Sequence, residues 1–261
     1  MNRLWIQHFG VGIVATPGDF GRRGQKPTHP ELLDGLSSEF VRSGWSLKHM
    51  HRLMVTSSTY RQSSKDREEA SKPDPLNRLL WRFRPQRLEA EVIRDSALMV
   101  SGLLNLVLGG ESVAPTLPVG MPAPAGGWIV STDPGDQHRR SLYISVRRTA
   151  AYPMMSVFDM PETLESCSRR SQTITAPQAL TMMNSAESME WAQAFAGRVL
   201  DRAGADPAEQ VKEMFRLAYS REPDSWEKDR IATFFARQKS VIEERSAKGE
   251  PWRCPPRCHR A

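Results

Sequence analysis

Signals for the start of an α-helix recur along this chain, and they restrict its fold more than any other feature. At 28–31, 175–178 and 206–209, a capping residue is followed by proline and then by glutamate or glutamine. The capping oxygen accepts a hydrogen bond from the first turn, proline fits that turn, and the third residue reaches back to the cap. Ser46 and Asp224 stand in front of two further apolar segments. We therefore expect a mainly α-helical fold.

Apolar residues follow these signals at spacings of three and four, which places them on one face of a helix. The longest candidate helix runs over residues 85–110 and is expected to end at Gly109 and Gly110. Its predicted buried side consists of Leu88, Val92, Met99, Leu103 and either Leu106 or Val107. The apolar face predicted for the last helix consists of Ile231, Phe234, Phe235 and Ile242.

One short stretch departs from the helical pattern. Residues 128–132 and 141–146 are rich in β-branched and aromatic side chains, and the turn-prone residues 133–140 separate them. We predict that the two segments pair as a small antiparallel β-hairpin. The expected fold class is therefore mainly α, a multi-helix domain with this hairpin packed against its helices.

The composition is that of an ordinary folded protein with an excess of basic charge. Of 261 residues, 39% are hydrophobic and 25% are charged, and the net charge is +6. The arginines are interspersed with carboxylates, which favours a generic surface over a dedicated anion-binding face. No apolar window is long enough to span a membrane, and the first residues lack the pattern of an export signal. The odd number of cysteines, 3, predicts no disulfide framework.

Several separated strings resemble one known family. They are "NRLWIQHFGVGIVATPGDFG", "THPELLDGLSSEFVRSGWSLKHMHRLMVTSSTYRQSS", "RLEAEVIRDSAL", "RRSLYISVRR", "FDMPETLESCSRRSQTITAPQALTMMNS" and "LAYSREPDSWE". In this order, over roughly residues 1–235, the chain resembles the planctomycete-type domain of unknown function 1553, also called the PSD1 domain. Because so many separated motifs agree, the resemblance is specific.

This resemblance implies a location and neighbours, but no reaction. The family domain usually lies at the carboxyl end of large exported proteins, after a cytochrome c-like domain and a second domain of unknown function. The resemblance therefore implies an extracytoplasmic location, whether periplasmic, cell-surface or secreted, and those two domains as partners. It also implies that any haem is held by the neighbouring domain, so no cofactor is expected on this chain.

The two ends of the chain suggest where the domain lies. A helical pattern is already under way at residue 2 without a cap, so we expect one PSD1-like domain over residues 1–247 that lacks its amino-terminal part. Family members finish with a helix of the type "LCHALLNSNEF", whereas this chain ends in "EPWRCPPRCHRA". We therefore interpret residues 248–261 as an atypical tail, which is either a disordered end or the product of a shifted reading frame or a broken gene. Its C-x-x-x-C-H string is one residue longer than a haem attachment motif and predicts no haem.

A stripe of charged residues stands out in the long helix candidate. Arg87, Glu91 and Arg94 lie on one side at spacings of four and three, with Asp95 beside them. We favour a structural ion network that fixes the arrangement of helices, and the alternative is a ligand-binding or catalytic carboxylate. The histidines His29, His49 and His51 lack the spacing of metal ligands, so no metal site is predicted.

A second group of candidates surrounds the predicted hairpin. Arg147 and Arg148 would face opposite sides of a strand, and an inward arginine can pair with Asp159 or bind an anion. Cys167 precedes Arg169 and Arg170, whose charge can lower the pKa of a thiol. No neighbouring base supports nucleophilic catalysis, so we expect a packed and inert cysteine, with ion-pairing arginines, in front of a capped helix.

These observations favour a non-catalytic packing or binding module of a larger exported protein, with acidic polysaccharide as a candidate ligand. The alternative is a polysaccharide-active enzyme domain, oxidative when coupled to the cytochrome, with Glu91, Asp95 and Asp159 as its carboxylates. A nucleic-acid partner is the least favoured interpretation, because no binding motif accompanies the arginines. The sequence leaves open whether the chain is an enzyme at all.

Overall fold

The computed structural model describes residues 1–118, 120–121, 127–147, 151–162 and 166–249. These residues form a mainly helical structure, which confirms the expected class. The α-helices are α1 Asn2–Phe9, α2 Pro30–Arg42, α3 Leu47–Thr56, α4 Ser58–Arg61, α5 Glu68–Ser71, α6 Ala90–Ser101, α7 Pro134–Gln137, α8 Pro153–Val157, α9 Ala176–Asn184, α10 Ala186–Ala203, α11 Pro207–Tyr219 and α12 Ser225–Ala247. A short 3-10 helix spans Ser141–Tyr143.

Most of the predicted caps are present. The Ser46 hydroxyl accepts a hydrogen bond from the His49 amide at 3.3 Å at the start of α3. Thr175 and Gln178 form a capping box at α9, and Asp224 forms one at α12. The predicted cap at Thr28 is wrong by one position, because His29 is the N-cap of α2 and the Thr28 hydroxyl donates to the Ile13 carbonyl instead.

The described chain divides into two compact units. Unit 1 comprises Met1–Leu88 and Glu165–Gln172, and unit 2 comprises Glu89–Leu164 and Thr173–Ala261. The single domain expected over residues 1–247 stays a prediction.

Unit 1 is built around a small aromatic and methionine core. Its buried members are Trp5, Phe9, Ile13, Leu36, Met50 and Met54. The buried Asn2 side chain joins the start of α1 to the loop after it, donating to the Val14 carbonyl at 2.9 Å and accepting from the Val14 amide at 3.0 Å. His8 of α1 and His51 of α3 share a hydrogen bond of 2.8 Å between ring nitrogens. This unit is therefore held by both apolar packing and short polar links between its helices.

The core of unit 2 lies between α6, α8 and α10. Its buried members are Ala90, Leu98, Val113, Trp128, Ile144, Tyr152, Met154, Met155, Phe158 and Trp191. Tyr152 stacks on Trp128 with ring centroids 6.0 Å apart. This core positions the charged groups described below.

The long helix candidate differs from its prediction in length and in orientation. α6 ends at Ser101, because Gly102 adopts a left-handed conformation with φ 83° and Asn105 bonds to the main chain of residues 135–138. The predicted buried side is also wrong at most positions: Leu103 packs against the core, but Leu88, Val92 and Met99 are exposed, as are Leu106 and Val107. The buried face is Ala90, Arg94, Leu98 and Ser101. The helix turns this face inward because the Arg94 guanidinium has its partners there.

The predicted β-hairpin is not found among the described residues 127–147. Residues 128–132 form no strand, and Ser141–Tyr143 is a 3-10 helix. Ile144 instead makes an isolated parallel bridge with Val113. The prediction from strand-like composition is wrong here, because these residues are held without a partner strand. Trp128 and Ile144 pack in the core, and the Ser141 amide donates to Asp95 of α6.

Candidate functional site

A buried arginine, Arg94 of α6, lies at the centre of the polar interactions of unit 2. Only 2% of the residue is exposed. Its guanidinium donates from Nη1 to the Arg139 carbonyl at 2.8 Å and from Nη2 to the Gln137 carbonyl at 2.6 Å. Burial lowers the pKa of Arg94, and nearby carboxylates act against that effect, so the group stays charged. A positive charge is thus held inside the unit by main-chain carbonyls.

Asp95, the next residue of α6, holds the same segment. Its Oδ1 accepts from the Ser141 amide at 2.7 Å, and its Oδ2 accepts from Arg140 Nε at 3.2 Å. Arg94 and Asp95 therefore bind carbonyl and amide groups of residues 137–141. Together the Arg94 and Asp95 side chains hold residues 137–141 against α6.

A second buried arginine, Arg139, was not among the predicted site residues. It donates to the carbonyls of Val107, Gly109 and Glu111, and its guanidinium lies 4.0 Å above the Tyr143 ring. These contacts hold the loop after α6. The sequence contains Arg139 and Arg140 side by side, and no pattern distinguishes the buried one from the exposed one.

Glu187, in the first turn of α10, is a half-buried carboxylate. The Tyr152 hydroxyl, which is buried, donates to the Glu187 carboxylate. One turn later, Glu190 pairs with His138 at 2.9 Å between Oε1 and Nε2. We call Arg94, His138, Tyr152, Glu187 and Glu190 the polar cluster.

The burial of Glu187 changes its acid–base chemistry. Desolvation raises the pKa of Glu187 to about 7, against the attraction of the Arg94 guanidinium and with a further rise from the Glu190 carboxylate. A carboxyl group of this kind can take up and release a proton near neutral pH, which is the property required of a general acid or base. The polar cluster is therefore the candidate functional site.

Sequence reasoning missed four of the five members of this cluster. Glu187 occupies the first turn of a helix, where acidic residues are common because the positive end of the helix dipole stabilises their charge. Its tyrosine partner lies 35 residues earlier in the chain. The available signal is the pair of carboxylates at Glu187 and Glu190, three positions apart on one helix face. That spacing alone does not indicate burial.

Asp159 is engaged in a different contact of unit 2. It adopts a left-handed conformation with φ 61°, and its carboxylate accepts from the Thr173 amide at 2.8 Å and from the Thr173 hydroxyl at 2.9 Å. The Gln178 side chain also donates to the Thr173 hydroxyl. Asp159 thus anchors the chain that leads into α9.

The remaining predicted site residues lie in several places. Cys167 is exposed, and its thiol donates to the Arg169 carbonyl, so the expectation of a packed cysteine is wrong. Its segment is too polar and too short to enclose a side chain. Arg87, Arg169 and Arg170 belong to unit 1 with Cys167, whereas Glu91 and Arg147 belong to unit 2. Glu91 and Arg87 are half-buried, Arg147 and Arg169 are exposed, and Arg148 falls outside the described residues.

The described ranges contain neither a cluster of potential metal ligands nor a membrane-spanning helix. There, no three histidine, cysteine or acidic side chains lie close enough together to hold a metal ion. No helix of the described chain is both long enough and apolar enough to cross a membrane.

Comparisons with known proteins identify a family but no relative of known activity. A search of curated proteins and a search of solved structures found no match. The family PSD1, described as "Protein of unknown function (DUF1553)", matches residues 1–235. The matched range includes α1 to α11, and with them every member of the polar cluster. The chain therefore belongs to the PSD1 (DUF1553) family.

Proposed function

We propose that this chain is a non-catalytic packing module of a longer exported protein, and that it docks on the domains that precede it in that protein. The observation that carries the proposal is the distribution of charge and apolar surface in unit 2. Arg94, Asp95 and Arg139 bind the main chain of their own unit. Charged groups with a structural task of this kind are not available to a substrate.

Large apolar side chains, in contrast, face outward. On α9, Leu180 is 56% and Met183 is 71% exposed, and their spacing of three places them on one helix face. Ile174, just before α9, is 91% exposed. Exposed apolar patches on a folded protein mark contacts with other proteins, because a contact removes the apolar surface from water. We assign this α9 face to the contact with the preceding domains, in agreement with the order that the family resemblance implies.

The packing proposal predicts a loss of binding when the α9 face is charged. The polypeptide encoded upstream of Met1 is produced as a separate chain and co-expressed with this one. We expect the two to co-purify, and the double variant L180K/M183K to reduce recovery at least about tenfold, because burying two lysines without partners is unfavourable. L76K, at a side chain 71% exposed in unit 1, is the matched control. A gene that encodes nothing upstream, or equal recovery of L180K/M183K, would contradict the proposal.

A specific observation supports acidic polysaccharide as a ligand of unit 1. The loop that contains Gly18 lies against the segment of Ser168, since a side chain at Gly18 would come within 3.2 Å of the Ser168 hydroxyl. Arg22 and Arg23 of that loop and Arg169 of that segment are exposed. Arginine binds carboxylate and sulfate groups through paired hydrogen bonds. We propose that these three arginines form an anion-binding patch.

The patch is tested by binding to heparin and to polygalacturonate at low salt. We expect the triple variant R22S/R23S/R169S to bind at least about tenfold more weakly, since each charged hydrogen bond contributes roughly 1.5–3 kcal/mol. R52S, which changes an exposed arginine of α3, should bind like the parent chain. Equal affinity of the triple variant and R52S would remove the polysaccharide part of the proposal.

The enzyme alternative now depends on a different carboxylate. Asp95 and Asp159 are bonded to main-chain amides, whereas Glu187 has the raised pKa of a general acid. The same polysaccharides, followed by size-exclusion chromatography, would reveal chain cleavage. Cleavage that disappears in E187Q would replace the packing proposal with a hydrolytic function.

A further inference from the structure

The last helix of the described chain carries a largely apolar stripe whose residues the other described residues leave exposed or only half-buried. α12 has 23 residues, and none of them is buried. The stripe, which we call the α12 stripe, consists of Ile231, Phe234, Phe235, Gln238, Val241 and Ile242. Most helices in folded proteins are stabilised by burying such a face rather than by helix propensity alone. Within the described part of the chain, no contact therefore buries the α12 stripe fully.

The spacing of the α12 stripe is that of a helix pair. Ile231, Phe234, Gln238 and Val241 follow one another at intervals of three, four and three, as the inner positions of a coiled coil do. Phe234 is 55% exposed. A surface of this shape is matched by a second helix with the same spacing.

We infer that the α12 stripe binds the α12 stripe of a second copy of this chain, with the two helices antiparallel. In this arrangement Ile231 faces Val241 of the second copy, and Phe234 faces Gln238. Phe235 meets its own counterpart near the two-fold axis. The contact is isologous, so each layer occurs twice, and it closes as a dimer.

The charges that flank the α12 stripe select this orientation. Arg230 lies at one end of the stripe and Glu244 at the other, at equivalent flanking positions. Antiparallel pairing brings Arg230 beside Glu244 of the second copy, and symmetry repeats the pair. Parallel pairing would instead place Arg230 beside Phe235 and so leave the charges unmatched. Arg237 approaches its counterpart in the antiparallel form, and its long side chain can turn its charge to solvent.

Light scattering after size-exclusion chromatography of the full chain tests the dimer. Over about 1–200 µM, we expect the mass to rise towards twice the 29.5 kDa of one chain. R230E and E244R should each weaken the dimer at least about tenfold, and the double variant R230E/E244R should restore it, because the exchanged charges pair again. F234S/F235S should give a monomer. F20S, which changes a phenylalanine 63% exposed in unit 1, is the matched control.

The double variant R230E/E244R tests the dimer even if one of the other variants changes the helix content. A mass of one chain at every concentration would overturn it, and so would a double variant R230E/E244R that stays as weak as either single variant. Circular dichroism checks that F234S/F235S retains its helices, as expected for side chains that are not buried. The surface differs from the α9 face, so L180K/M183K should leave the dimer intact, and failure of either proposal leaves the other standing.

Discussion

Replacement of Arg94 by methionine is expected to lower the free energy of unfolding by about 3–5 kcal/mol, since it removes a buried charge whose partners stay buried. The carbonyls of Gln137 and Arg139 would lose their donors, and Glu187 would lose its nearby positive charge. Unsatisfied buried polar groups cost roughly 1–3 kcal/mol each. Urea unfolding followed by tryptophan fluorescence measures the change.

The substitution R94K separates charge from geometry. Lysine keeps the charge but lacks the planar fork that reaches two carbonyls at once, so we expect R94K to lose about 2 kcal/mol. R52M changes an exposed arginine on α3 and should lie within about 0.5 kcal/mol of the parent chain. If R94M were as stable as R52M, the view of Arg94 as the central structural group of unit 2 would be wrong.

Titration of Glu187 is expected to make the protein less stable as the pH rises from about 5 to 8. The pKa of Glu187 is about 7 in the folded chain and near its ordinary value of 4.5 in the unfolded chain. Between these values the folded state binds a proton that the unfolded state has released, so stability falls as pH increases. The resulting loss in the free energy of unfolding reaches about 3 kcal/mol above pH 7, and there is no such loss below pH 4.5.

The variant E187Q isolates this effect. Glutamine keeps a partner for the Tyr152 hydroxyl but carries no proton to lose, so we expect E187Q to be more stable than the parent chain at pH 8 by up to about 3 kcal/mol. At pH 5 the difference should be small. E31Q, at an exposed glutamate of α2, controls for the change in net charge. Parallel stability curves for E187Q and the parent chain would refute the burial of an ionisable Glu187.

These predictions bear on the proposed function because they concern the same residues. If Arg94 and Glu187 affect stability without affecting any reaction, the polar cluster is an internal support for a module that acts through its surface. If E187Q is stable and abolishes a cleavage reaction, the cluster is an active site. The two results are distinguishable in one variant.

The helices illustrate how much could be predicted before the structure. Thr175 with Gln178 and Asp224 with Glu227 act within four residues of each other, so a local pattern contains the whole interaction. The prediction of a β-hairpin was wrong because the bridge partner of Ile144 is Val113, which lies 31 positions earlier in the chain. Residues that look like a strand pair locally were stabilised by contacts that the local pattern does not contain.

The amino-acid sequence by itself determined the helical class, most helix starts and the family, because each depends on short-range hydrogen bonds or on strings of residues read in order. The tertiary structure alone decided which face of α6 is buried, which arginines are internal, and why Glu187 holds a proton near neutral pH. Those properties depend on desolvation by residues that are distant in the chain. The sequence names a glutamate or an arginine but does not record whether its charged group is buried or in water.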